Sequence, residues 1–264
     1  MKIIIVGTSY PFRGGLAAFN ERLAGEFMKQ GNEVEIYTFT LQYPSFLFPG
    51  KTQLSDDEAP GNLKINRKIN SVNPLNWVSV GREIKAKNPD KIIFCYWMAF
   101  MAPCFGTIAR FAKSAKTKSI ALVHNMIPHE PTILDKLFPA YFVKAMDGFV
   151  AMTASVVSDI NKFDKKYKPK LVSPHPIYDH YGAITPRSEA LDALDLDPAF
   201  RYILFFGFIR KYKGLDLLME AFADIRLRRF PVKLLVAGEF YEPKEPCYEM
   251  IKKHTLEDLV VLHT

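Results

Sequence analysis

Cysteine is scarce, with only Cys95, Cys104 and Cys247 in a chain of 264 residues. The number is odd and no two stand in C-x-x-C spacing, which argues against a disulfide framework or a structural zinc site and fits a reducing, cytoplasmic setting. Long apolar runs are missing too, since none reaches the roughly 18 residues of a membrane-spanning helix. The nearest, Ile92 to Ala112, is broken by Pro103, Gly106 and Arg110 and reads as a buried strand followed by a helix. The opening run Ile3 to Val6 is too short for a signal peptide or anchor. After it, Gly7 is followed by Thr8, Ser9 and Tyr10 rather than by G-x-G-x-x-G, which disfavours a nicotinamide-dependent enzyme. G-x-x-x-x-G-K-[ST] is absent as well, so a nucleotide-hydrolysing P-loop is not expected. Aromatic residues make up 13% but do not interleave with basic ones, and no nucleic-acid partner is expected.

What remains is an ordinary globular composition, 48% hydrophobic and 24% charged. The net charge of +7 favours anionic partners, set against the plain reading of a mildly basic soluble protein. Its longest basic run, Lys162, Lys165, Lys166, Lys168 and Lys170, includes Asp164 and is read first as a solvated face and second as a peripheral contact with an acidic membrane.

Apolar runs alternate with helical periodicity. Strands are predicted at Ile3–Val6, Val34–Phe39, Leu63–Ile69, Lys91–Tyr96, Ser119–His124, Gly148–Met152 and Leu171–Val172. Helices are predicted at Gly15–Gln30 with Gly31 as its stop, from Pro74 to about Asn88, and at Ala102–Lys113, Ile133–Met146 and Ala154–Phe163. Such alternation implies a parallel sheet, doubly wound by the right-handed crossover rule, with ligands outside the carboxyl ends of its strands. After a polar stretch with a short helix near Leu191–Leu194, a second alternating unit begins. It has strands at Ile203–Phe206, Val232–Ala237 and Leu259–Leu262, helices at Gly214–Arg228 and Tyr248–His254, and Phe205, Phe206 and Phe222 as core. The expected class is α/β with two Rossmann-like domains. Residues 1–180 form the first, 181–199 the linker and 200–264 a partial second domain, whose sheet edge and helix faces are expected to be incompletely covered.

Unusual residues gather at the strand ends. Arg13-Gly14-Gly15 opens a helix, where backbone N–H groups and a guanidinium fork can hold phosphate or carboxylate; a plain strand-to-helix turn is the alternative. In Gly207-Phe208-Ile209-Arg210-Lys211-Tyr212-Lys213-Gly214, cations meet a helix start at the end of a buried strand, and a diphosphate site is favoured over a solvated turn. His124 ends a strand with His129 and Glu130 close behind, suited to hydrogen bonding or proton transfer. A satisfied core histidine is the plainer reading, and the spacing is not that of a helical metal site. Gly238-Glu239 and Pro174-His175-Pro176 read as turns.

These segments resemble family 4 glycosyltransferases of the GT-B fold. Gly207 to Leu218 is similar to the family's donor-diphosphate segment, which implies that role for Arg210 and Lys213. Many relatives have Arg directly after the strand glycine; this chain has Phe208 there. Arg13-Gly14-Gly15 resembles the family's Gly-rich loop, which faces the donor phosphates and acceptor. His124-Asn125-x-x-Pro-His129-Glu130 resembles its His-containing loop, implying contact of His124 with the transferred sugar, and Ala237-Gly238-Glu239 resembles its strand-end Gly-Glu near the nucleotide. The family's late acidic pair has no counterpart, so the chain is expected to be C-terminally truncated. The resemblance implies transfer, with retention, of a sugar from a nucleoside diphosphate sugar to a glycan or lipid-linked acceptor in cell-surface polysaccharide synthesis. It also implies no metal or other cofactor, and a cytoplasmic or inner-membrane-peripheral setting. The alternatives are a non-catalytic binding subunit and an NAD-dependent sugar-nucleotide enzyme.

Overall fold

A strand buried on both faces must be apolar throughout, and β1 (Lys2–Val6) meets that demand with Ile3, Ile4, Ile5 and Val6 all buried. The computed structural model describes residues 1–44, 53–55, 58–127, 134–177 and 182–264. It divides into two units, one within residues 1–177 and the other within 178–264.

In the first unit β1 is joined by β2 (Glu33–Leu41), β3 (Lys64–Asn70), β4 (Lys91–Tyr96), β5 (Lys118–Val123), β6 (Gly148–Ala151) and β7 (Lys170–Val172). All pair in parallel, in the order β3-β2-β1-β4-β5-β6-β7. The order reverses at β1, so the crevice for ligands lies at the carboxyl ends of β1 and β4. The helices are α1 (Gly15–Lys29), α2 (Pro74–Ala86), α3 (Ala102–Ala112), α4 (Leu134–Ala145) and α5 (Ala154–Phe163). Phe94, Tyr96, Phe105 and Phe142 anchor one core, and Ile3, Ile5, Ile36 and Ile93 form another with Phe19 and Ala24 of α1.

Local sequence sets the helix ends. The Asn73 side chain accepts from the N–H groups of Leu75 and Asn76, with Pro74 as the first helical residue of α2. Thr153 caps α5 by accepting from Val156 N–H. After α1, Gly31 N–H donates to Met28 C=O at 2.9 Å and Asn32 N–H to Phe27 C=O at 3.1 Å, the two bonds of a Schellman stop. On β2 the buried Glu35 accepts from Lys87 at 2.7 Å, and from Lys64 and Asn66 at 3.0 Å. Burial alone would raise this carboxyl's pKa, but the bonds from Lys87, Lys64 and Asn66 hold it at about 2.

The second unit holds β8 (Arg201–Phe206), β9 (Val232–Ala237) and β10 (Val260–His263), parallel in the order β10-β9-β8. On one face α7 (Leu215–Phe222) and α8 (Glu245–Lys253) bury Met219, Phe222 and Ile251 against Leu234 and Val236. On the other, Leu191 of α6 (Arg187–Ala193) and Leu196 pack on Leu235, flanked by Tyr202 and Val261.

Several expectations change. Phe206 was expected in the core and is 73% exposed, as is Leu204 at 57%. Both lie on the α6 face, and α6 reaches Tyr202 and Leu235 but not the end of β8. The helix expected over 214–228 stops at Phe222; beyond it, Asp224 accepts from the Arg226 N–H at 2.8 Å and ion-pairs with its guanidinium, an aspartate turn in place of another helical turn. The helix expected from Tyr248 begins at Glu245, because Pro246 suits the first turn. Ile133, expected in α4, lies outside the described residues.

Candidate functional site

In the first unit the site builds from the loop after β1. Gly14 has φ 109°, a conformation L side chains rarely adopt, and the space beside it is open. Its carbonyl accepts from the N–H groups of Ala17 and Ala18 at 3.1 and 3.2 Å. No side chain caps this end of α1 and its first turn holds no acid, which suits an anion, but the carboxylates of Glu21 and Glu58 line the adjoining cavity and oppose one. Arg13 is exposed, and its N–H donates to Gln53 C=O at 3.0 Å. A cavity of about 140 Å³ beside it is lined by Tyr10, Arg13, Gly14, Glu21 and Glu58. Glu21 had no sequence signal, yet its carboxylate accepts from the Ser9 hydroxyl at 2.8 Å and the Tyr10 N–H at 2.6 Å, tying the loop to α1.

His124 follows β5, its N–H donating to Tyr96 C=O at 2.9 Å. Its ring meets Phe19 edge-on, with centroids 5.0 Å apart. His175 lies 4.9 Å from Phe19 and 5.9 Å from His124. The segment Pro174-His175-Pro176, read from the sequence as a turn, thus delivers a second imidazole to the first. Burial, then the neighbouring His175, lowers the His124 pKa to about 4, so the ring is neutral near pH 7. Its Nε2 is buried with no hydrogen-bond partner among the described residues. His129 and Glu130 lie outside the described residues.

In the second unit Arg210 and Lys213 are joined by one 3-10 turn, with Lys213 N–H donating to Arg210 C=O at 2.9 Å. Gly214 then opens α7. Asp216 stands in the first turn of α7 and opposes an anion at that helix end, so the cations carry the attraction. Gly238 has φ 150°, and a Cβ there would fall on the Gly207 carbonyl. The two glycines let the segments after β8 and β9 run side by side: Ile209 N–H donates to Glu239 C=O at 2.9 Å, and Tyr241 N–H to Ile209 C=O at 3.2 Å. Sequence reasoning missed Tyr241, whose ring stacks on Phe208 at 4.1 Å and lies 4.9 Å from the Arg210 guanidinium carbon.

A larger cavity of about 600 Å³ lies between α7 and α8, lined by Leu215, Met219, Phe240, Cys247 and Met250 and reaching Arg210. Arg210 and Lys211 line its rim together with Asp216, Glu242 and Glu249, so the groove adjoins the cationic turn, while Lys213, Gly238 and Glu239 lie outside its lining. Among the described residues no three His, Cys, Asp or Glu side chains gather to hold a metal ion, and no helix is long and apolar enough to cross a membrane. Within the basic run, Lys162 pairs with Asp159, Lys170 with Asp164, and Lys168 donates to Val143 C=O. Lys165, Lys166 and the 91%-exposed Tyr167 stay at the surface.

With this geometry the chain can be set beside known proteins. Anabaena HepE, in complex with UDP and glucose, superposes with a TM-score of 0.70 over 99% of this chain and 68% of that one, at 12% identity. WaaG, a glycosyltransferase involved in lipopolysaccharide biosynthesis, gives 0.63 over 99% and 69%, at 16% identity. The fold is GT-B. A protein assigned as a UDP-N-acetylglucosamine 2-epimerase from Listeria monocytogenes gives 0.60 over 99% and 68%, at 13% identity. By sequence, the chain matches no family model and no curated protein. In this GT-B chain each unit places its unusual residues after the carboxyl ends of parallel strands: β1 and β5 in the first, β8 and β9 in the second.

Proposed function

We propose that the chain is a retaining glycosyltransferase of the family 4 type, moving a sugar from a nucleoside diphosphate sugar to a glycan or lipid-linked acceptor in cell-surface polysaccharide synthesis. The observation that carries this reading is the placement of Arg210 and Lys213 on one tight turn after β8, in the unit whose strand ends carry Gly238 and Glu239. The second unit, with α6 packed on its sheet, then holds the donor, and in the first unit Gly14 and Gly15 face the donor phosphates while Arg13 serves the acceptor.

In the reaction the bond between the sugar's anomeric carbon and the diphosphate oxygen breaks, and an acceptor hydroxyl oxygen takes the diphosphate's place on the same face. The diphosphate oxygen gains negative charge as its bond breaks and takes up the proton that the acceptor hydroxyl gives up. Preorganised cations lower the energy of that developing charge more than that of the ground state, and Arg210 and Lys213 fill this role without invoking a metal. His124 is kept neutral by burial and stands at the end of β5, where the family resemblance puts the transferred sugar; its contact with that sugar requires the covering side chains to move, because Nε2 is buried. A lipid-linked acceptor places the work at the inner face of a membrane, where Lys165, Lys166 and Tyr167 supply a cationic and aromatic corner.

Thermal shift with UDP and GDP tests the reading. The wild-type protein is expected to be stabilised and Lys213→Ala to lose that stabilisation; equal shifts in both would remove Lys213 from the site. The likeness to the protein assigned as a 2-epimerase favours one second reading, in which a sugar nucleotide is bound but rearranged. NMR of a UDP-sugar incubated with the protein separates them: inversion at C2 supports the epimerase, and release of UDP supports transfer.

A further inference from the structure

We infer that Tyr241 is a positioning residue for the Arg210 guanidinium, holding it where a ligand's diphosphate is met. The inference rests on the donor-site reading of Arg210 given above.

The pleat of the two segments makes the arrangement. Beyond β8 and β9 the chain continues as a parallel bridge between Ile209 and Phe240. Alternate residues of an extended chain face opposite ways. Ile209 and Phe240 go inward to the core beneath α7 and α8. Phe208 and Arg210, on either side of Ile209, take the other face, as does Tyr241 beside Phe240. There Phe208 stacks on Tyr241 at 4.1 Å, and the Arg210 guanidinium lies over the same ring at 4.9 Å. Among the described residues no carboxylate pairs with Arg210. A guanidinium held over an aromatic ring by cation–π attraction spends none of its N–H donors on a hydrogen bond to that ring, which leaves them for a bidentate phosphate contact. An aromatic ring beneath it therefore removes rotamer freedom without using the donors the ligand needs. Phe208 directly follows the strand glycine and brings no charge; the cation comes from two residues later, and its place comes from Tyr241, 31 residues along the chain from Arg210.

The test is UDP affinity by calorimetry in a set of variants. Tyr241→Phe, which keeps the π face, is expected to bind UDP within about twofold of wild type, and Tyr241→Leu about three- to tenfold more weakly. The Arg210 Nε–H resonance of the ligand-free protein is expected to shift in Tyr241→Leu but not in Tyr241→Phe, as the ring current is lost. In an Arg210→Ala background, Tyr241→Leu is expected to cost no further affinity, because its effect passes through Arg210. Equal UDP affinity of wild type and Tyr241→Leu would overturn the positioning role while leaving the donor site intact. An equal loss with and without Arg210 would reduce Tyr241 to a packing residue. A wild-type protein that binds no UDP or GDP at all would instead defeat the donor-site reading itself.

Discussion

Burial decides the protonation state of His124. Its ring packs against Phe19 and beside His175, and burial, followed by the field of His175, lowers its pKa to about 4. The unfolded chain takes up this proton near the ordinary histidine value of about 6.5, well above the folded value. Stability linked to this group is therefore full above about pH 6.5 and is lost as the pH falls through about 4. His124→Phe is expected to lose less stability than wild type over that window, measured by urea denaturation at a series of pH values. Parallel curves for the two proteins would contradict the burial seen here. His124 was legible from its place at a strand end, but its partners were not. Phe19 and His175 stand 105 and 51 residues away, and only the packing of α1 and the chain after β7 over the β5 edge joins them. Glu21 was hidden for a similar reason: it lies mid-helix in α1 and gains meaning only when the loop folds back onto it.

At the scale of elements, periodicity located nearly all the strands and helices, because a strand buried on both faces or a one-sided helix must write its burial into the order of apolar residues. Ends were less legible. α7 stops at Phe222 because the Asp224 side chain captures backbone and guanidinium donors of Arg226, a local competition that apolar spacing does not record. The extension beyond β8 and β9 depends on Gly207 and Gly238 passing closely enough that a Cβ on Gly238 would meet backbone. Gly238→Ala is expected to destabilise the second unit by at least ~2 kcal/mol and to abolish nucleotide binding, since two segments and not one residue must move apart. Gly14→Ala, where the neighbouring space is open, is expected to cost only ~1 kcal/mol through backbone strain. Chemical denaturation of both variants provides the comparison, and similar losses would contradict the close approach.

Among the described residues each unit has apolar cores of its own. Phe142 belongs to the core of the first unit and Met219 to that of the second, and both are fully buried. The second unit buries fewer large side chains and leaves Leu204 and Phe206 on an exposed sheet face. It is expected to unfold at lower denaturant than the first, with hydrogen exchange separating the two transitions. Met219→Ala is expected to lower the first transition by about 2–5 kcal/mol and leave the second in place, because the cavity it creates lies in one core only. A single transition shifted as a whole would show that the units unfold together.

By itself the sequence determined the α/β class, the parallel alternation and the strand ends at which Arg13, His124, Arg210 and Lys213 would stand. Burial pattern and chain direction are local properties that residue order carries directly. Tertiary structure alone decided that Tyr241 lies beneath Arg210, that His175 reaches His124, and that Phe206 faces outward. Each of these depends on which distant segments cover one another, and a residue's own neighbours in the chain carry no record of that.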